Sequence, residues 1–162
     1  VLVEAISIIK HQYNRDIKAV LIGANDQTKQ QYENQAKELS VFDNIEIVKR
    51  VEHKNIYNYI AQSTVGVLSN RYDADGLLFT SPLKLYEYLG SGLKVVVSRL
   101  PSIESNINES LVYYATPEKP ESFAKEIIRA LDDDDFDINK IKDFSKNYTW
   151  ESRSKKFMEF IS

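Results

Sequence analysis

Short, largely apolar runs alternate along this chain with longer stretches whose apolar residues recur at helical spacing. The runs are Ile17-Lys18-Ala19-Val20-Leu21-Ile22, Ile45-Glu46-Ile47-Val48, Val65-Gly66-Val67-Leu68, Lys94-Val95-Val96-Val97-Ser98 and Leu111-Val112-Tyr113-Tyr114. Each is long enough for a strand and too short for a helix. Between and around them the spacing predicts helices over 1–13, 26–39, 55–62, 82–90, 101–106, 120–131, 137–146 and 150–161, with a loop over 70–80. Asp26 is expected to cap the second helix. Neighbouring side chains of a strand point to opposite faces, so runs apolar at successive positions need cover on both faces. Strand–helix alternation with two covered faces implies right-handed βαβ crossovers. The expected architecture is a Rossmann-like, doubly wound parallel α/β sheet with helices on both faces. Such sheets bind ligands at the carboxyl ends of their strands. The loops after Ile22, Val48, Leu68, Ser98 and Tyr114 are therefore the candidate sites.

Bulk properties exclude several classes. A length of 162 residues suits one domain with a real core. With 21 basic against 24 acidic residues the chain carries a net charge of −3, so no nucleic acid partner is expected. There are no cysteines, and the two histidines, His11 and His53, form no metal-binding pattern, so neither disulfides nor a metal site is expected. The run Asp132-Asp133-Asp134-Asp135 reads as a solvated helix end. No apolar run is long enough to span a bilayer and no leader pattern opens the chain, which makes the cytoplasm the default expectation. Usage rich in asparagine, lysine and isoleucine hints at an AT-rich bacterial genome. The chain opens without methionine inside a helical pattern of Leu2, Ala5, Ile6, Ile9 and Tyr13, which reads as a fragment.

The stretch Thr80-Ser81-Pro82-Leu83-Lys84-Leu85-Tyr86-Glu87-Tyr88-Leu89-Gly90-Ser91-Gly92 carries the chemical information. Ser81 can cap a helix whose first position is Pro82, and the glycines suit a left-handed terminus. The first turn of a helix is positively polarised and favours acids, yet here it holds Lys84. Field and cation repel unless an anion sits between them, and a phosphate would also take the free N–H groups and the Ser81 hydroxyl. Glu87, one turn on, could accept hydrogen bonds from vicinal hydroxyls such as those of ribose. The alternative is a plain surface pair between Lys84 and Glu87.

The segment TSPLKLYEYLGSGLKVVVSRLPSIES resembles the donor-site signature of glycosyltransferase family 4 and its GT-B relatives (glycosyl transferases group 1). VLVEAISIIK, IKAVLIGA, NIEIVKRVEHKNIYNYIAQSTVGVLSN and YTWESRSKKFMEFI resemble further elements of the same domain, in the same order. The resemblance implies a single donor-binding domain over 1–162, lacking its first strand and the N-terminal acceptor domain. It implies a hexosyltransferase that uses a nucleoside diphosphate sugar, retains configuration and serves a glycan or lipid-linked acceptor. No cofactor or metal is implied, and association with the inner membrane face is left open. By the same resemblance Glu87 binds ribose, and Ser81, Pro82, Leu83 and Lys84 lie around the diphosphate, with Lys84 stabilising the leaving group. Arg50 and Val51, in the loop that begins at Lys49, lie against the base, and Gly23 and Ala24 lie near the donor. Arg71 is a further phosphate or sugar contact.

Three departures stand out. Phe79 occupies the place of a common first glutamate, and Lys49 that of a common glycine. A basic pair that usually grips the diphosphate would precede Val1. Asp73 or Asp75 could replace the glutamate, although a polar turn reads better there. Glu104 either orders the donor loop or simply sits in a short helix. His53 reads as a surface residue, His11 as a cation at a helix end, and Trp150 as a core or interface group. The alternatives are a GT-B-like nucleotide-sugar epimerase and a non-catalytic nucleotide-binding α/β module. A receiver-type module would need an acidic strand end, which Leu68-Ser69-Asn70 does not supply.

Overall fold

The computed structural model describes residues 1–72 and 83–161. The expectations placed on Asp73, Asp75, Phe79, Ser81 and Pro82, and on the Trp150 side chain, lie outside the described residues. The elements are α1 (Leu2–His11), β1 (Ala19–Ala24), α2 (Asp26–Glu38), a 3-10 turn (Phe42–Asn44), β2 (Ile45–Lys49), α3 (His53–Ala61) and β3 (Val65–Leu68). They continue with α4 (Leu83–Gly90), β4 (Lys94–Ser98), α5 (Pro101–Glu104), β5 (Tyr113–Ala115), α6 (Pro120–Asp132), α7 (Ile138–Lys146) and α8 (Trp150–Ile161).

The strands form two parallel ladders. β1 pairs with β2, with Ala19 opposite Ile45, and β4 lies between β3 and β5, with Val65 opposite Lys94 and Val96 opposite Tyr113. The all-parallel, helix-covered architecture expected from the apolar runs is present. β4 shows why. Val95, Val96 and Val97 have no exposed surface, and they alternate between two cores. Val96 joins Ile9, Ala124 and Ile127 of α1 and α6. Val95 and Val97 join Leu85, Leu89 and Ile141 of α4 and α7. Each such side chain contributes about 1.5–3 kcal/mol by leaving water.

Some edges moved. The strand expected at 111–114 is Tyr113–Ala115, because β4 pairs from Val96 and leaves Leu111 and Val112 buried but unpaired. The short helix expected over 101–106 stops at Glu104. Asp26 is not the cap of α2. Asn25, in extended conformation, holds that place, and its side-chain oxygen accepts from the Thr28 backbone N–H at 2.8 Å. Asp26 follows in the first turn, where the dipole favours an acid.

Helix α4 ends in a Schellman arrangement. The Gly92 N–H donates to the Leu89 carbonyl and the Leu93 N–H to the Tyr88 carbonyl, both at 3.0 Å, and Gly92 has φ +79. The left-handed terminus read from the two glycines is there, carried by Gly92. Gly90 is the last helical residue.

Candidate functional site

Parallel strands bring their following loops to one edge of each ladder. At the end of β1, Gly23 takes φ +104, and the β1–β2 register shifts between Ile22 and Ala24. This bends the chain into the Asn25 cap of α2. Lys49, the last residue of β2, crosses to Asp26 at 2.5 Å. The Lys49 hydrogen bond and charge hold the Asp26 carboxyl below its ordinary range. The lysine at the family's common glycine position therefore ties β2 to the start of α2.

After β2 the chain runs through exposed Arg50 and half-buried Val51 into α3. The first residue of that helix, His53, reaches across to α4. Its Nε2 lies 3.0 Å from Glu87 Oε1. A carboxylate only accepts, so the ring nitrogen donates. Tyr57, one turn along α3, packs its ring edge-on against the imidazole at 5.6 Å. The histidine is exposed, as read from sequence, but it is also the link between α3 and the second turn of α4. No pattern in the linear order signals this, since the two residues stand 34 positions apart.

Because Glu87 faces His53, it is not paired with Lys84. Lys84 is exposed in the first turn of α4, a turn with no acidic residue, and has no ion pair among the described residues. Of the two readings left open for this lysine, the plain surface pair is absent from the resting structure.

At the end of β3, the buried Ser98 hydroxyl of β4 donates to the Asn70 carbonyl at 2.6 Å, fixing the exit of the loop. Arg71 follows, exposed and without an ion pair among the described residues. After β4, Arg99 bridges Glu104 at 2.7 Å and Glu109 at 2.8 Å and covers the Tyr114 ring at 4.7 Å. Burial pushes the Tyr114 hydroxyl up to about 12, and it donates to the Ile107 carbonyl at 2.7 Å. Glu104 is thus engaged in ordering the segment after β4 through Arg99, a residue the linear reading did not single out.

The structure therefore brings Glu87 to His53, the first residue of the helix that follows Arg50 and Val51. Gly23 lies near the end of β1, Arg71 in the loop after β3, and Leu83 and Lys84 in the first turn of α4, and among the described residues the side chains of Arg71, Leu83 and Lys84 make no hydrogen bond to one another. The described residues contain no group of three His, Cys, Asp or Glu side chains placed to hold a metal ion. The run of four aspartates begins at the last residue of α6, and its first two members have partners. Asp132 pairs with Arg15 at 3.0 Å, and the Asp133 carboxylate accepts from the Tyr113 hydroxyl at 2.6 Å.

Parallel strands covered by helices on both faces define the class as a Rossmann-like α/β domain. The chain belongs to the family of glycosyl transferases group 1, whose model matches residues 1–133. Its fold is that of GT-B glycosyltransferases. A glycosyltransferase from Rickettsia africae ESF-5 superposes with a TM-score of 0.81 at 18% identity, over 98% of this chain and 42% of that one. A sucrose-phosphate synthase from Thermosynechococcus elongatus gives 0.79 at 17% identity, over 99% and 41%. The C-terminal domain of a group 1 glycosyl transferase from Francisella tularensis gives 0.66 at 17% identity, over 96% and 76%. The chain thus spans about two fifths of the length of the first two proteins. No match to a curated protein sequence was found.

Proposed function

We propose that this chain is the donor-binding half of a glycosyltransferase that moves a hexose from a nucleoside diphosphate sugar to a glycan or lipid-linked acceptor, with retention. The observation that carries the reading is the contact of Glu87 with His53, two residues past Val51, while Lys84 has no ion pair among the described residues in the same helix's opening turn. Base, ribose and diphosphate would lie in that order along this edge. The base rests against Arg50 and Val51, the ribose hydroxyls on Glu87, and the phosphates at Lys84 and the start of α4. As the bond to the sugar breaks, negative charge grows on the diphosphate. Lys84 and the helix dipole would stabilise that charge on the leaving group from the first turn of α4. That positive charge does the work a divalent metal does elsewhere, and the proposal requires no metal or cofactor. Arg71 is a further phosphate or sugar contact, and Gly23 gives the donor close approach to the backbone. Ser81 and Pro82 would complete the phosphate cradle.

The acceptor wall of the cleft would belong to an N-terminal domain of the same enzyme. Cytoplasmic action, at the inner face of a bacterial membrane in glycan assembly, fits such acceptors. Among the described residues no helix is long and apolar enough to cross a membrane.

Titration calorimetry with UDP, GDP and ADP tests the reading. One of them should bind, and Glu87→Ala should weaken it by about 1–3 kcal/mol, the loss typical of a charged hydrogen-bond partner. The 2′,3′-dideoxy analogue should lose little from the same substitution. Equal losses for both ligands would remove the ribose role.

A further inference from the structure

The tie between Lys49 and Asp26 does little for the fold. Ala24 lies opposite Lys49 in the ladder of β1 and β2, and two residues past Ala24 the Asp26 carboxylate meets the Lys49 ammonium at 2.5 Å. The Lys49 side chain is 61% exposed and that of Asp26 83%. At that exposure an ion pair adds little to stability. Asp26 is not needed as a cap either, since Asn25 caps α2. Lys29, one turn on, is engaged with Glu33 at 3.7 Å. The pair therefore stands open to solvent at the carboxyl ends of β1 and β2. Arg50 and Val51, against which the base is proposed to rest, follow Lys49 directly.

An ammonium only donates and an ionised carboxylate only accepts, with lone pairs to spare on both oxygens. Held in contact, Lys49 and Asp26 present one donor beside two acceptors. The Watson–Crick edge of guanine has the complementary order, with the O6 acceptor beside the N1–H and N2–H donors. The other bases do not match. Uracil has a single donor, N3–H, between two carbonyl oxygens, so a carboxylate facing it sets its second oxygen against a carbonyl. Adenine and cytosine place a bare ring nitrogen next to their amino group, and that nitrogen repels the second oxygen in the same way. Guanine alone gives both oxygens a hydrogen bond, and two charge-assisted bonds to one planar group are the strong kind. The Lys49 contact also holds the Asp26 carboxyl below its ordinary range, which keeps it an acceptor at neutral pH.

We propose that Asp26 and Lys49 read the base of the donor nucleotide and select guanine, which makes the donor a guanosine diphosphate sugar. The proposal rests on the donor-binding reading and names the base that reading leaves open. Asp26 accepts from N1–H and N2–H, and Lys49 donates to O6 from beside it. Selection comes as much from refusal as from attraction. Any other base leaves a carboxylate oxygen facing an acceptor once the base has displaced the water around the pair.

Titration calorimetry of the 162-residue chain with the diphosphates of guanosine, uridine, adenosine, inosine and xanthosine tests it. GDP should bind about tenfold or more tightly than UDP, ADP or inosine diphosphate, which lacks the 2-amino group, since a bidentate base contact discriminates by about that much. Asp26→Asn should reverse one preference. Its amide accepts from N1–H and donates to the O2 of xanthine, so xanthosine diphosphate should now bind more tightly than GDP. Lys49→Met keeps the length and removes the donor, so it should weaken GDP and inosine diphosphate alike, both of which carry O6, and leave ADP unchanged. Glu87→Ala, which acts on ribose, should weaken every one of them. Both Asp26 and Lys49 are exposed, so thermal melts of their variants should match the parent's, and if Asp26→Asn does not fold, the Lys49→Met pattern decides. If none of the diphosphates binds, the donor-binding reading falls and the guanine assignment with it. If UDP or ADP binds as tightly as GDP, the donor-binding reading survives and the guanine assignment is overturned. If GDP leads but Asp26→Asn leaves its lead over xanthosine diphosphate intact, or Lys49→Met weakens ADP as much as GDP, other groups read the base and the proposal is overturned.

Discussion

Lys84 is a cation placed where its own helix repels it, and that makes it the residue whose substitution separates stability from binding. Lys84→Glu should leave the empty domain as stable as before, or more stable by about 0.3–1 kcal/mol from the dipole. It should sharply weaken diphosphate binding while hardly changing that of the bare nucleoside. Denaturant melts and calorimetry on one variant read both halves. A loss of several kcal/mol in the empty fold with intact diphosphate affinity would make the lysine structural. His53 poses a subtler case. Its ring donates to the carboxylate proposed to hold ribose, so it sets where Glu87 points. His53→Ala should lower nucleoside affinity several-fold, and His53→Gln, whose amide still donates, should restore most of it. The dideoxy analogue should be indifferent to both. Equal losses from alanine and glutamine would mean that the ring acts by its bulk or its contact with Tyr57.

At the level of elements, the placing of α4 depends on Gly66. A Cβ built on that residue of β3 would come within 3.0 Å of several Tyr88 ring atoms, while Gly90, at the end of α4, has 3.8 Å to its nearest neighbour, the Ser145 hydroxyl. β3 and α4 therefore touch through a missing side chain. Gly66→Ala should cost about 1–3 kcal/mol, as overpacking does, and by shifting α4 it should weaken nucleotide binding as well. Gly90→Ala should be neutral or stabilise by up to about 1 kcal/mol, since alanine is the better helix former. Thermal melts of the two variants make the comparison, and equal effects would show that the β3–α4 contact yields freely. The linear pattern places Gly66 in a strand and Gly90 at a helix end, but it does not record that an aromatic ring of α4 lies against Gly66.

For the molecule as a whole, the proposed chemistry needs two walls, and the second would come from the proposed N-terminal domain. The purified chain should bind a nucleoside diphosphate and transfer no sugar. Robust turnover from a radiolabelled donor, with no partner polypeptide present, would overturn the half-enzyme reading. Saturating nucleotide should raise the melting temperature, since ligand binds the native state alone.

Periodicity and composition by themselves determined the order of elements, the parallel sheet and the edge at which a ligand would sit. Those properties depend on which residues must leave water, and burial is written locally in every run of three or four side chains. The motif around Lys84 and Glu87 was legible for a similar reason, because a helix start and its dipole are properties of adjacent residues. Other features came only with the tertiary structure. The His53–Glu87 contact, the Lys49–Asp26 tie and the Arg99 bridges join residues from different elements, and their partners are chosen by how the helices cross the sheet. The order of strands in the two ladders came the same way. The apolar run of β1 announced a strand covered on both sides, but whether a neighbour stands at each edge depends on the order of strands across the sheet, which no stretch of sequence records.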